Sequence, residues 1–175
     1  MQNRLALVFI LVTVMIDSIG IGIIFPVMPD LMREVTGADL ASASLWGGLL
    51  ATSFAAMQFL CGPVVGNLSD RYGRRPVMLI ALVVMALDYA IMAVAQSVWL
   101  LLLGRLIAGA AAATYATAAA YVADISAPEA RAKNFGLIGA AFGAGFVAGP
   151  LVGGIAAEWG TRVPFWTAAA VAARD

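Results

Sequence analysis

Five apolar runs of about 20 residues each leave this chain few ways to fold. They cover 5–28, 45–65, 77–95, 98–121 and 135–157. At 1.5 Å per residue, about 20 helical residues cross the ~30 Å hydrocarbon core of a bilayer. Lipid offers no partner to a backbone N–H or C=O, so each run is expected to be a helix that satisfies its own ladder. A sixth run starts at Pro164 and is cut short by the chain end, so 164–175 is expected to be an incomplete span. The expected fold class is all-α integral membrane, a six-helix bundle with its sixth helix truncated.

Charge supports the same reading. Only 11% of the residues are charged and 63% are hydrophobic, against about a quarter charged in a soluble domain. The ten basic and ten acidic residues cancel, so nothing points to nucleic acid. The chain has no histidine, which removes the commonest metal ligand and general base. Carboxylates are then the expected proton carriers inside the membrane. The single cysteine, Cys61, sits in an apolar run and reads as a packing residue. No nucleophile–base pair, metal cluster or phosphate loop is present, so no enzyme, metal or cofactor is expected. The N-terminal run is too long for a signal peptide, contains Asp17 and lacks an A-x-A site, so it reads as a retained first span.

The most charged stretch joins the second and third spans: Gly66-Asn67-Leu68-Ser69-Asp70-Arg71-Tyr72-Gly73-Arg74-Arg75-Pro76. It is expected to be a short polar turn at the membrane surface. Gly66 is expected to let the helix end approach a neighbour, Gly73 to permit a tight reversal, and Pro76 to open the next helix. With the N-terminus inside, the inner loops hold six basic residues, Arg4, Arg71, Arg74, Arg75, Arg131 and Lys133. The outer loops hold two, Arg33 and Arg162. That asymmetry places the N-terminus in the cytoplasm, with Trp99 and Trp159 near the outer boundary. In the link after the fourth span, Ser126 and Glu129 have capping-box spacing. Asp124, Glu129, Arg131 and Lys133 form either a solvated linker or an ionic cluster with the arginines of the other loop.

Three ionisable residues lie inside spans: Asp17, Asp88 and Arg105. Charges at that depth are costly and face a bundle interior or a watery cavity. Asp17 is about 12 Å along a helix from Phe25, Asp88 about 10 Å from Ala95, and Arg105 about 9 Å from Trp99. The matched depths predict one shared cavity in the outer half of the membrane. The structural alternative is a static buried ion pair. Thr114, Tyr115 and Thr117 are either cavity-lining or helix-packing residues.

The fifth span carries Gly145, Gly149 and Gly153 at i, i+4 and i+8, with Pro150 and Gly154 beside them. Such a row is a flat seam for close helix contact, and Pro150 removes one backbone hydrogen bond and can kink the helix. In the first span, Gly20 and Gly22 allow close packing, while Pro26 and Pro29 are expected to end or bend the helix.

Taken together, these motifs resemble one family. The order G-x-L-x-D-R-x-G-R-R from Gly66 to Arg75 resembles the signature loop between helices two and three of the major facilitator superfamily. The run Asp17 to Pro29 looks like the first helix of drug/proton antiporters. Arg105, followed four residues on by Gly109, is similar to the family's fourth-helix motif. G-x-x-x-G-P-x-x-G-G, from Gly145 to Gly154, resembles the antiporter motif of its exporters. Asp17, the pair Asp88-Tyr89 and the run Ala140 to Gly145 look most like the tetracycline/proton antiporter group.

The resemblance implies roles. Asp88 and Arg105, with Asp17, would serve proton coupling and the substrate cavity. Gly66, Asp70, Arg71, Gly73 and Arg74 would form a cytoplasmic loop switch. Gly145, Gly149, Pro150, Gly153 and Gly154 would form the fifth-helix antiporter motif. The family has twelve helices in two halves, so the chain is expected to be the N-terminal half, the second half being absent.

The implied function is proton-coupled efflux of a small drug-like molecule, tetracycline above all, by alternating access across the inner membrane. The implied partners are drug, protons, the lipid bilayer, and a missing C-terminal half or a second copy. The alternatives are a non-transporting truncated membrane fragment, a half-transporter, or an exporter of other drugs, sugars or amines.

Overall fold

The computed structural model describes residues 2–112 and 114–173, with side chains from residue 5 onward. Seven helices and no strand occur among the described residues: α1 Gln2–Thr36, α2 Leu40–Tyr72, α3 Arg74–Val94, α4 Val98–Ala111, α5 Thr114–Ile125, α6 Pro128–Ala157 and α7 Val163–Ala172. Four of these, α1, α2, α3 and α6, are each long and apolar enough to cross a membrane, as are α4 and α5 taken together. The ten residues of α7 reach about 15 Å, short of a bilayer.

Several boundaries differ from the sequence-based expectation. Pro26 and Pro29 do not end α1, which runs on to Thr36. A proline interrupts the ladder locally, and neighbouring helices hold a membrane helix together across that gap. α1 stops at Gly37, whose φ of 64° closes the helix. Asp39 then caps α2, its carboxylate accepting from Ser42 N–H at 3.3 Å. Hydrogen bonds from Ser42 hold the Asp39 carboxyl below its ordinary value. That cap is fully present above the ordinary carboxylate range and lost as pH falls through the lowered value.

The stretch 66–76 is not a loop. α2 stays helical to Tyr72 and α3 starts at Arg74. The reversal is made by Gly73 alone, at φ 97°, a conformation L side chains rarely adopt. Gly66 approaches no neighbour: a Cβ there would meet nothing within 4 Å.

The run expected as a single span at 98–121 is divided into α4 and α5, with Ala112 between them and position 113 outside the described residues. Gln58 of α2 reaches across and donates to the Ala112 carbonyl at 3.1 Å. A polar side chain thus replaces the lost ladder bond, as lipid requires. Ser126 does not cap the next helix. The N-cap is Ala127, with Pro128 in the first turn and no side-chain cap bond. Ser126 instead accepts from Asn134 Nδ2 at 2.8 Å.

α1 and α6 form the most extensive helix pair. Gly145, Gly149 and Gly153 are all buried against α1. A Cβ at Gly149 would lie 2.7 Å from the Ile19 carbonyl oxygen, and the Gly22 backbone is as near. Only hydrogen fits, so the two backbones touch. Gly154 is not part of this seam. It has nothing within 4 Å, because one residue beyond Gly153 the helix has turned about 100° away. α6 remains continuous through Pro150.

Two apolar clusters complete the bundle. One joins Ile23, Leu31, Leu50, Tyr89, Leu101 and Phe165. The other joins Ile10, Val14, Met78, Ala118, Val122 and Ile138 at the opposite end. Phe59, Leu45, Val147 and Leu5 are more than 70% exposed, a surface suited to lipid or another apolar partner rather than water.

Gly149→Leu is expected to cost about 1–3 kcal/mol by overpacking the seam. Gly154→Leu should stay within about 0.5 kcal/mol, as surface changes do. Denaturant unfolding of the two variants in detergent micelles separates these outcomes. Equal stability would mean that the α1–α6 contact does not hold the bundle.

Candidate functional site

α3 and α4 run as antiparallel neighbours joined by a short turn, and Ser97 caps α4 by accepting from Trp99 N–H at 3.3 Å. That hairpin places Asp88 opposite Arg105. The two form an ion pair through Arg105 Nη2 and Asp88 Oδ2, with side chains 9% and 2% exposed. Room for the carboxylate comes from Gly104, where a Cβ would lie 2.7 Å from Asp88 Oδ1. The guanidinium lies over the Phe54 ring of α2, 5.1 Å from its centroid, a cation–π contact that supports a charge away from water. Arg105 Nε is buried and has no hydrogen-bond partner.

Arg105 forms part of the wall of a cavity of about 320 Å³. The cavity lies mainly between α1 and α2, with Phe25, Met28, Ser44, Gly47 and Phe54 among its lining residues. Its wall is apolar except for Arg105 and Ser44. It matches the usual form of a small-molecule site, an apolar hollow with a few placed polar groups.

The three charged residues of the spans do not sit side by side in this wall. Only Arg105 lines the cavity. Asp88 lies behind it as its counter-ion. Asp17 is half-buried on α1, outside the lining, one helical turn before Ile21. Thr114 and Thr117 are buried, and Tyr115 packs edge-on against Phe142 at 5.6 Å. None of these three lines the cavity.

A second polar group gathers at the Arg74 end of the bundle. Arg74 Nη1 meets Asp70 Oδ1 at 2.5 Å and Ser69 Oγ at 2.7 Å, while Nε meets Asp124 Oδ2 at 3.2 Å. Ser69, itself buried, donates to the Gly66 carbonyl at 2.7 Å. One arginine therefore joins the α2–α3 turn to the end of α5. Arg71 lies over Tyr72 and Arg75 over Phe9. Of the residues expected in an ionic cluster there, Asp70 and Asp124 are paired. No ion pair of Glu129, Arg131 or Lys133 is seen among the described residues. At the other end, Arg162 donates to Glu34 at 2.8 Å and to the Ala93 carbonyl at 2.9 Å, and Trp99 and Trp159 are exposed.

Sequence reasoning missed Gly104, Phe54 and Gln58. Gly104 was findable as the small residue preceding a membrane-embedded arginine. Phe54 and Gln58 carried no signal, since each acts across helices on a partner about 50 residues away.

Replacing one member of the Asp88–Arg105 pair leaves the other buried and uncompensated. Asp88→Asn and Arg105→Gln are each expected to destabilise the bundle by about 3–5 kcal/mol. The double variant should lose clearly less than their sum. Asp124→Asn, at a pair more than half exposed on the acidic side, should cost under about 1 kcal/mol. Unfolding of the four proteins in one detergent checks all three expectations; additive losses would show that the buried pair is not coupled.

Comparison with known proteins agrees with this architecture. The Major Facilitator Superfamily model matches residues 10–173. The tetracycline resistance protein, class C, of Escherichia coli is 50% identical over 169 residues, covering 97% of this chain. Multidrug resistance protein 2 of Bacillus subtilis (strain 168) is 33% identical over 172 residues, covering 98%. The chain spans 42% of the length of each of these relatives. The crystal structure of the human organic anion transporter MFSD10 (TETRAN) superposes with a TM-score of 0.85 at 30% identity, covering 98% of this chain and 45% of that one. These are transporters, not enzymes, and the chain belongs to the major facilitator superfamily as a multi-pass membrane protein related to small-molecule carriers.

Proposed function

We propose that this chain forms the N-terminal half of a proton-coupled exporter of a small drug-like molecule, tetracycline being the first candidate substrate. The observation that carries the proposal is the buried Asp88–Arg105 pair in the wall of an apolar cavity. A proton arriving at Asp88 neutralises the carboxylate and weakens its hold on Arg105, whose donors are then free to turn toward the cavity. Loss of the proton restores the pair. Proton binding and the state of the cavity wall are thereby linked, which is what exchange of a proton for a substrate needs. The similarity to tetracycline resistance proteins supports tetracycline as the substrate to try first.

The N-terminus lies in the cytoplasm of a cell whose inner membrane holds the protein, because the basic loops are at the Arg74 end. The Asp70–Arg74–Asp124 cluster then lies at the cytoplasmic surface, where it tunes the balance between inward- and outward-open states. Alternating access requires a second six-helix unit facing the α1–α2 cavity, supplied by a C-terminal half or by another copy.

A second reading comes from the unpartnered Nε of Arg105. A cation with a spare donor in an apolar wall suits a substrate with an acidic group, so an organic anion is the alternative cargo.

The test is reconstitution of the carrier, with its facing unit, into vesicles under an imposed pH gradient. Accumulation of tetracycline should depend on the gradient and fall roughly 100-fold in Asp88→Asn, the size of effect lost with a proton-transfer group. Accumulation that ignores the gradient, or survives Asp88→Asn, would overturn the proton-coupled reading. Transport of an organic anion in place of tetracycline would favour the second cargo.

A further inference from the structure

Tyr89 follows Asp88 directly on α3, and one residue of helix turns its side chain about 100° away from the Asp88–Arg105 pair. It points instead to α1. Its hydroxyl lies against Gly20, so close that a Cβ at that position would be 2.8 Å from the phenol oxygen. Tyr89 is 1% exposed and its hydroxyl has no hydrogen-bond partner. A buried hydroxyl without a partner is uncommon and calls for an explanation.

The explanation is on the same face of α1. Asp17 precedes Gly20 by three residues, so its carboxylate projects from the neighbouring position on that surface. It lies within electrostatic reach of the Tyr89 hydroxyl. Thr13, four residues before Asp17, is also fully buried, and its Oγ1 has no hydrogen-bond partner. α1 thus offers a hydroxyl, a carboxylate and a glycine in line, and α3 offers the phenol that lies against the glycine.

Among the described residues, Asp17 is the one charged group that acts on the Tyr89 hydroxyl. α6, the main neighbour of α1, brings its glycine seam, Phe142 and Phe146. α7 brings Phe165 and alanines, and α2 brings Phe54. The phenol of Tyr115 on α5 packs on Phe142. Asp88 and Arg105 lie on the α4 side of α3.

We propose that Tyr89 is a positioning residue for Asp17, donating its buried hydroxyl to the ionised carboxylate, directly or through one water, and joining it through the α3 backbone to the Asp88–Arg105 pair. When Asp17 takes up a proton, the phenol rotates its O–H and accepts from the carboxyl instead. No bond beyond the proton's own is made or broken. α3 then carries two adjacent side chains, one on each carboxylate site, and a shift of α3 is felt at both. This rests on the proton-coupled reading for its purpose, though not for its geometry.

The test has an arm that needs no transport. Infrared difference spectroscopy of the protein in lipid bilayers identifies the Asp17 carboxylate stretch by its loss in Asp17→Asn. Tyr89→Phe keeps the ring and removes only the hydroxyl, and should displace that band. Gly20→Ala, which pushes the phenol aside while leaving both partners, should displace it too. In gradient-driven transport, Tyr89→Phe is expected to lose about ten-fold or more, the worth of a hydrogen bond to a charged group. It should cause no further loss in an Asp17→Asn background. An Asp17 band unmoved by both variants, or losses that multiply in the double variant, would overturn the proposal. A displaced band in a protein that shows no gradient-driven transport would uphold the Tyr89–Asp17 bond while counting against the proposed function.

Discussion

The bundle depends on the contact of α1 with α6. Three glycines at 145, 149 and 153 bring one backbone against another with no side chain between them. In lipid there is no hydrophobic force between apolar helices, so close packing must supply the attraction. The seam fixes the position and rotation of α1. That rotation sends Phe25 and Met28 toward the cavity and sets Gly20 under the Tyr89 hydroxyl.

α3 and α4 solve a different problem. They carry the acid and the base that lipid will not tolerate singly. A three-residue turn folds one helix against the other, and Gly104 removes the side chain that would otherwise stand where Asp88 sits. The result is paired charge beside a cavity rather than in contact with lipid. Phe54, from a third helix, covers the guanidinium. The pair is therefore held by local geometry on one side and by tertiary packing on the other.

Each end of the bundle is tied by a single arginine. Arg74 spans two carboxylates that are themselves more than half exposed, so each tie is weak and easily exchanged. Arg162 joins Glu34 to the Ala93 carbonyl and thereby links the ends of α1, α3 and α7.

The sequence by itself determined that the chain is helical and lives in lipid, because length and apolarity settle both without reference to any neighbour. It also marked Asp17, Asp88 and Arg105 as interior residues, since the cost of a charge in hydrocarbon does not depend on the fold. It identified the glycine row of α6, whose spacing is a property of one helix. Where the chain turns was less legible. Polarity suggested a loop at 66–76, yet one glycine with positive φ makes the whole reversal, because polar residues at a membrane surface can stay helical. The halt between α4 and α5 was hidden as well, since it is stabilised by Gln58, more than 50 residues away. Only the tertiary structure decided which charges meet, that Asp88 faces Arg105 while Tyr89 lies against Gly20 of α1, and that Arg105 alone of the three reaches the cavity. Depth along a helix follows from counting residues; direction around it follows from the neighbours that the helix packs against.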